Sequence, residues 1–108
     1  MNSIVLKSKI YGIRVTDADI KCGGSITIDS ELLERVNIRE YEQVHVLDIT
    51  NAERFVTYAI CGDGGECCVN GAAAKLVNIG DELIILAYGI VGEGESIEHL
   101  FINGEKEG

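Results

Sequence analysis

"QVHVLDITNAERFVTYAIC", residues 43–61, holds two runs of alternating apolar and polar residues around a short polar break. A period of two predicts half-buried strands, over 43–50 and 54–61, and Asn51-Ala52-Glu53 between them predicts a hairpin connection. Alternation counted from Arg54 places Tyr58 on the same strand face and Thr57 on the other.

Working outward, residues 3–15 (SIVLKSKIYGIRV) predict a long strand with Val5, Lys7, Lys9 and Tyr11 on one side. TDADIKCGG (16–24) reads as a turn or one short helical turn, and 25–29 as a strand. A short helix follows over 29–38: Asp29 or Ser30 can cap it, Leu32, Leu33 and Val36 form its apolar face, and Asn37 ends it. GDGGE (62–66) is a glycine-rich turn, 67–69 a short strand, and Asn70-Gly71 a turn signal before Ala72–Ala74. DELIILAYGIV (81–91) is the most apolar strand and is expected to be the most buried; EHLFING (98–104) supplies a last strand before a polar tail.

About seven short strands, one helix and no proline lack the βαβ rhythm of a doubly wound sheet. A small closed barrel suits such a chain, because closure removes exposed strand edges. With no repeat, linker or low-complexity segment, residues 1–108 read as a single domain.

A net charge of −9 with nine dispersed Lys and Arg argues against nucleic acid as a partner, since binding phosphates needs a clustered positive surface. No apolar run is long enough for a membrane span or a signal peptide, so no membrane partner and a cytoplasmic location are expected. Cys22, Cys61, Cys67 and Cys68 contain no C-x-x-C pair, and His45 and His99 add no ligand spacing. Reduced thiols and no metal are the expectation. His45, in a valine-rich strand, reads as a partly buried filler, and GIVGEG (89–94) opens no helix that could cradle phosphate.

KCGGSITID (21–29) remains. Two glycines before a strand ordinarily mark a turn. A serine after a conformationally free glycine can also attack the preceding carbonyl in an N-to-O acyl shift. Elimination across its Cα–Cβ bond would then cut the chain and leave a dehydroalanine, which hydrolyses to a pyruvoyl group.

"LKSKIYGIRVTDADIKCGGSITID" (6–29), "ITNAERFVTYAI" (49–60), "VNGAAA" (69–74) and "GDELIILAY" (80–88) resemble, in order, spacing and content, the pyruvoyl-dependent aspartate 1-decarboxylases. The resemblance spans essentially residues 1–90. It implies a mainly β fold: a six- to seven-stranded double-psi β-barrel with one or two short helices, assembled as a homotetramer with sites between subunits. It also implies cleavage between Gly24 and Ser25, with Ser25 becoming a covalently bound pyruvoyl group that forms a Schiff base with the substrate amine. By the same resemblance Thr57 holds the Gly24 carbonyl during processing, Lys9 and Arg54 bind substrate carboxylate, and Tyr58 returns the proton after CO2 leaves. Asn70, Gly71, Ala72 and Ala73 match the loop lining the substrate. Such roles suit a forked guanidinium, a mobile ammonium and a phenol.

The implied reaction is L-aspartate to β-alanine in pantothenate biosynthesis. Tyr11 stands where this family usually has histidine, Gly12 where it often has arginine, and Cys22 where it usually has tyrosine. Two alternatives therefore stay open: a paralogue acting on another amino acid, and a non-cleaving barrel used as a binding or assembly module. The sequence also leaves open whether cleavage is spontaneous or needs a maturation factor.

Overall fold

A computed structural model describes residues 1–20 and 25–104. Eight strands follow one another as β1 (Ser3–Arg14), β2 (Asp17–Asp19), β3 (Ile26–Asp29), β4 (Gln43–Asp48), β5 (Arg54–Gly62), β6 (Cys67–Asn70), β7 (Glu82–Val91) and β8 (Leu100–Asn103). One helix, α1 (Ser30–Arg35), follows β3, and a 3-10 helix (Gly71–Leu76) follows β6. The strands hydrogen-bond in the order β2-β6-β3-β5-β4-β7-β1-β8. β1, next to the last strand of this order, runs through Val15 and Thr16 directly into β2, the first, so one continuous segment links the two sides of the sheet and closes the barrel. Thr16 seals the joint: its N–H and hydroxyl donate to the Cys67 carbonyl (2.8 and 3.1 Å), and its Oγ1 accepts from Cys67 N–H (2.9 Å).

The barrel is filled by alternate residues of the strands. Ile10, Ile26, Ile28, Val44, Leu83 and Ile85 are completely buried, and Leu33 and Val36 close one side from the helix and its C-terminus. Each such aliphatic side chain contributes about 1.5–3 kcal/mol by leaving water. Asp29 caps α1 by accepting from Glu31 N–H (2.9 Å), and Asn37, at φ 58°, ends the helical turn.

Residues 17–19 are a strand rather than a turn or helical turn. Their local composition is turn-like, but closure of the barrel supplies β6 as a partner. This three-residue strand helps bring the count to eight. Two register shifts interrupt β1, between Leu6 and Ser8 and between Tyr11 and Ile13. The first reverses the expected parity: Ile4 and Leu6, not Val5 and Lys7, share the outward face of Lys9 and Tyr11. Lys7 leaves the alternation and donates to Asn37 O and Glu42 Oε2 (2.6 and 2.8 Å). At the second, Gly12 takes φ 84°, a left-handed conformation natural to glycine at a bulge. β7 also differs from expectation: Leu83, Ile85 and Ala87 are fully buried, whereas Ile84, Leu86 and Tyr88 are half-buried and Ile90 is exposed. Its apolar residues serve two faces.

Candidate active site

Ser25 lies immediately before β3 and is buried. β3 and β6 run antiparallel, with Ile26 opposite Val69 and Thr27 opposite Cys68. The Asn70 N–H donates to Ser25 O (2.8 Å), extending the pairing by one residue. The inward residues of this pair, Ile26, Ile28, Cys67 and Val69, enter the core. Period-two geometry sends Ser25, Thr27, Cys68 and Asn70 to the other face. There the Asn70 amide Nδ2 donates to Ser25 Oγ and Thr27 Oγ1, both at 3.1 Å. The Cys68 thiol donates to Asn70 Oδ1 (3.2 Å). Cys68 and Asn70 are each only 8% exposed, so these bonds are shielded from water.

Asn70 begins the 3-10 helix but makes no side-chain cap bond. An asparagine at that position ordinarily turns back to the helix N–H groups; here its amide is committed to Ser25 and Thr27. Gly71 permits the turn by adopting φ 73° and is buried. Ala72 is exposed, Ala73 packs against the core and Ala74 is buried. Gly24, Gly23 and Cys22 lie outside the described residues, as does the Gly24–Ser25 bond.

β3 runs parallel to β5 with Ile26 opposite Ala59. Continuing that register by one residue brings Ser25 level with Tyr58. The Tyr58 side chain is 38% exposed, with its ring centroid 6.2 Å from that of Tyr41. Thr57 sits opposite Val44 in an uninterrupted β4–β5 register, so no bulge returns Thr57 to the Tyr58 face. Arg54, exposed, is four residues from Tyr58 along the same strand, about 13 Å.

Lys9 lies still further round the barrel. It pairs with Leu86 on β7, Leu86 pairs with His45 on β4, and His45 pairs with Val56 on β5. Three strand spacings, about 14 Å, therefore separate Lys9 from the β5 backbone, and a fourth reaches β3. One chain thus brings Ser25, Asn70 and Tyr58 near one another and leaves Lys9 and Arg54 apart. Between them runs an outward apolar face that includes Leu47, Val56, Ile84, Leu86 and Ile90. His45 belongs to it, half-buried, sharing a hydrogen bond with the Tyr88 hydroxyl (3.3 Å) in an edge-on ring contact.

Lys9 borders a cleft of about 310 Å³ with Tyr11, Phe101, Ile102 and Asn103. Its Nζ is 5.7 Å from the centre of the Tyr11 ring. β8 forms one wall, with Phe101 beside Lys9 and Asn103 beside Tyr11. The sequence marks neither Thr27 nor Phe101 as a site residue, and Cys68 only as a reduced thiol. Spacing places 25 with 27 and 68 with 70 on common strand faces, but pairing β3 to β6 required the folded chain.

Burial pushes the Cys67 thiol up to about 12, which leaves it protonated and unreactive at neutral pH. No group of three or more His, Cys, Asp or Glu is gathered as a metal site among the described residues, and no helix among them is long and apolar enough to cross a membrane.

The fold and sequence can be compared with known proteins. A rationally designed double-psi β-barrel superposes with a TM-score of 0.52 at 16% identity, covering 77% of this chain and 91% of the design. This likeness establishes the double-psi β-barrel fold. The family model described as aspartate decarboxylase matches residues 1–102. The aspartate 1-decarboxylase of Campylobacter curvus is 54% identical over 84 residues, covering 78% of this chain and 73% of the relative. That of Caldicellulosiruptor saccharolyticus is 50% identical over 98 residues, covering 89% and 77%. That of Campylobacter hominis is 47% identical over 97 residues, covering 90% and 85%. With its barrel, its buried Ser25 and this extent of similarity, the chain belongs to the aspartate decarboxylase family.

Proposed function

We propose that this chain is a self-processing, pyruvoyl-dependent decarboxylase that converts L-aspartate to β-alanine and CO2, serving pantothenate biosynthesis in the cytoplasm. The observation that carries the reading is Ser25: a buried serine, held through Oγ by the Asn70 amide and through its carbonyl by the Asn70 N–H. A group derived from that serine fits this place, because its polar partners there, Asn70 and Thr27 across the Asn70 amide, are neutral and the residues that follow Asn70, Gly71, Ala72 and Ala73, carry no bulky side chain.

Processing begins when Ser25 Oγ attacks the Gly24 carbonyl, with Thr57 assigned to hold that carbonyl. The new C–O bond replaces the C–N bond, and the released amine takes a proton. Removal of the Ser25 Cα proton expels the Gly24 carboxylate, and water then replaces the amine, releasing ammonia. The resulting pyruvoyl carbonyl supplies an acceptor for the substrate amine and a sink for the electron pair left by CO2.

The remaining work belongs to side chains. Arg54 offers two parallel N–H donors to a carboxylate, and Lys9 a mobile cation. Tyr58, level with Ser25, delivers a proton from its hydroxyl. Asn70, Gly71, Ala72 and Ala73 line the substrate and exclude water. The separation of Lys9 and Arg54 from Ser25 within one chain supports a homotetramer with sites shared between copies. The exposed part of the apolar face is suited to that assembly.

A second substrate is favoured by one observation: Tyr11 and Phe101 put aromatic surface beside Lys9. An amino acid with a longer or less charged side chain would use that surface. An intact mass spectrum under denaturing conditions tests the proposal. Fragments of residues 1–24 and 25–108, the second beginning with a pyruvoyl group, are expected. A single full-length mass after warming would favour a maturation factor or a non-cleaving assembly barrel, and addition of cell extract separates those two. Turnover of aspartate against other amino acids then decides the substrate.

A further inference from the structure

We propose that Cys68 is a positioning residue for the Ser25 cleavage, its thiol fixing which end of the Asn70 amide faces the serine; this rests on the self-processing reading. An asparagine amide presents an acceptor at one end and two donors at the other, whereas serine and threonine hydroxyls donate or accept equally well. Ser25 and Thr27 alone would therefore tolerate either orientation of Asn70. The Cys68 thiol breaks that symmetry. It stands 3.2 Å from Oδ1, and a neutral thiol is a donor and only a weak acceptor.

With Oδ1 facing sulfur, both amide protons are directed at hydroxyl oxygens, one at Ser25 Oγ and one at Thr27 Oγ1. Turning the amide would set its two donors against sulfur and make Ser25 donate to Oδ1. In a site this buried, poorly matched donors are costly. The chosen orientation leaves the Ser25 proton free of Oδ1, so Oγ can release it elsewhere as it attacks. Register enforces the arrangement, because Cys68 lies opposite Thr27 and Asn70 opposite Ser25 on one face.

The test compares cleavage rates of the full chain and of its Cys68→Ala and Cys68→Ser variants, read as fragment mass against time. Cys68→Ser keeps a donor, but its hydroxyl also accepts and so biases the amide less than the thiol does; it is expected to cleave at a rate between those of the unsubstituted chain and the donorless variant. Cys68→Ala, lacking the donor, is expected to be slower by about 3- to 10-fold. Circular dichroism in a non-cleaving Ser25→Ala background checks folding; should Cys68→Ala fail to fold, Cys68→Val fills the space without a donor. Cleavage of the donorless variant at the unsubstituted rate overturns the proposal, as does a serine variant as slow as the donorless one. Absence of cleavage in the unsubstituted chain, with cell extract added as well as without it, instead removes the underlying processing reading, and the positioning role with it.

Discussion

Lys9 and Arg54 stand on the outward side of one curved sheet, with β7 and β4 between their strands. Neither is delivered to Ser25 by its own chain, although Tyr58 is brought level with it. Chains carrying Ser25→Ala or Lys9→Ala should each be inactive alone. Coexpressed, they should recover measurable decarboxylation, because a mixed oligomer can join an intact Ser25 from one copy to an intact Lys9 from another. Failure of such mixtures, shown by mass to be mixed, would rule out a site shared in this way.

Arg54 is assigned the forked contact to carboxylate. Its replacement by Ala should raise KM for aspartate about 10- to 100-fold, as expected when a charge-assisted hydrogen-bonded pair is lost, while fragment formation continues. Lysine should recover part of the loss, since it restores charge without the fork. Unchanged kinetics in Arg54→Ala would refute the assignment.

Asp48 and Asp81 form a buried pair between the hairpin turn and the start of β7. Asp48 Oδ1 accepts from Thr50 and Asn51 N–H, and Asp81 Oδ2 accepts from Asn78 N–H. Burial first, and the hydrogen bond with Asp81 second, raise Asp48 from 3.8 to about 6. The same bond, followed by that from Asn78, lowers Asp81. Between about pH 4 and 6 the folded chain therefore holds an Asp48 proton that the unfolded chain has lost, so stability falls as pH rises through this window. Below the ordinary carboxylate range Asp81 acts oppositely, and stability falls as pH falls. Asp48→Asn, whose amide can donate to Asp81 permanently, should abolish the decline and stabilise the chain at pH 7 by about 1–3 kcal/mol. Urea unfolding at pH 4.5 and 7 measures both; an unchanged pH profile would exclude a shared proton.

Gly12 occupies a left-handed bulge where an added Cβ would lie 3.0 Å from Glu82 Oε2. Gly12→Ala should destabilise by about 1–2 kcal/mol, mostly through backbone strain. An equal loss in Gly12→Ala and in an exposed Gly64→Ala control, where nothing lies within 4 Å and φ is not left-handed, would argue against strain at the bulge.

The strands over 43–61 and the helix capped by Asp29 were legible in the sequence, because each depends on local pattern, period-two alternation in one case and a capping residue in the other; Ser25 stood out only through the resemblance, since a glycine before a hydroxyl also marks an ordinary turn. The resemblance supplied the double-psi topology, which alternation alone does not encode. What neighbours each strand acquires is a non-local matter, and there the folded chain decided. Residues 17–19 became a strand because closure offered them β6. Lys7 left the face of Lys9 because a bulge in β1 reverses parity, and β7 proved two-faced because its alternate residues point into the barrel core and out of it. Pairing β3 with β6 placed Asn70 against Ser25 and Thr27 across more than forty residues of chain, while Cys68 reaches Asn70 from two residues away on β6 itself. Sequence spacing determined which side chains share a strand face; tertiary pairing determined which faces meet, since hydrogen-bond register joins residues whose separation along the chain carries no periodic signal.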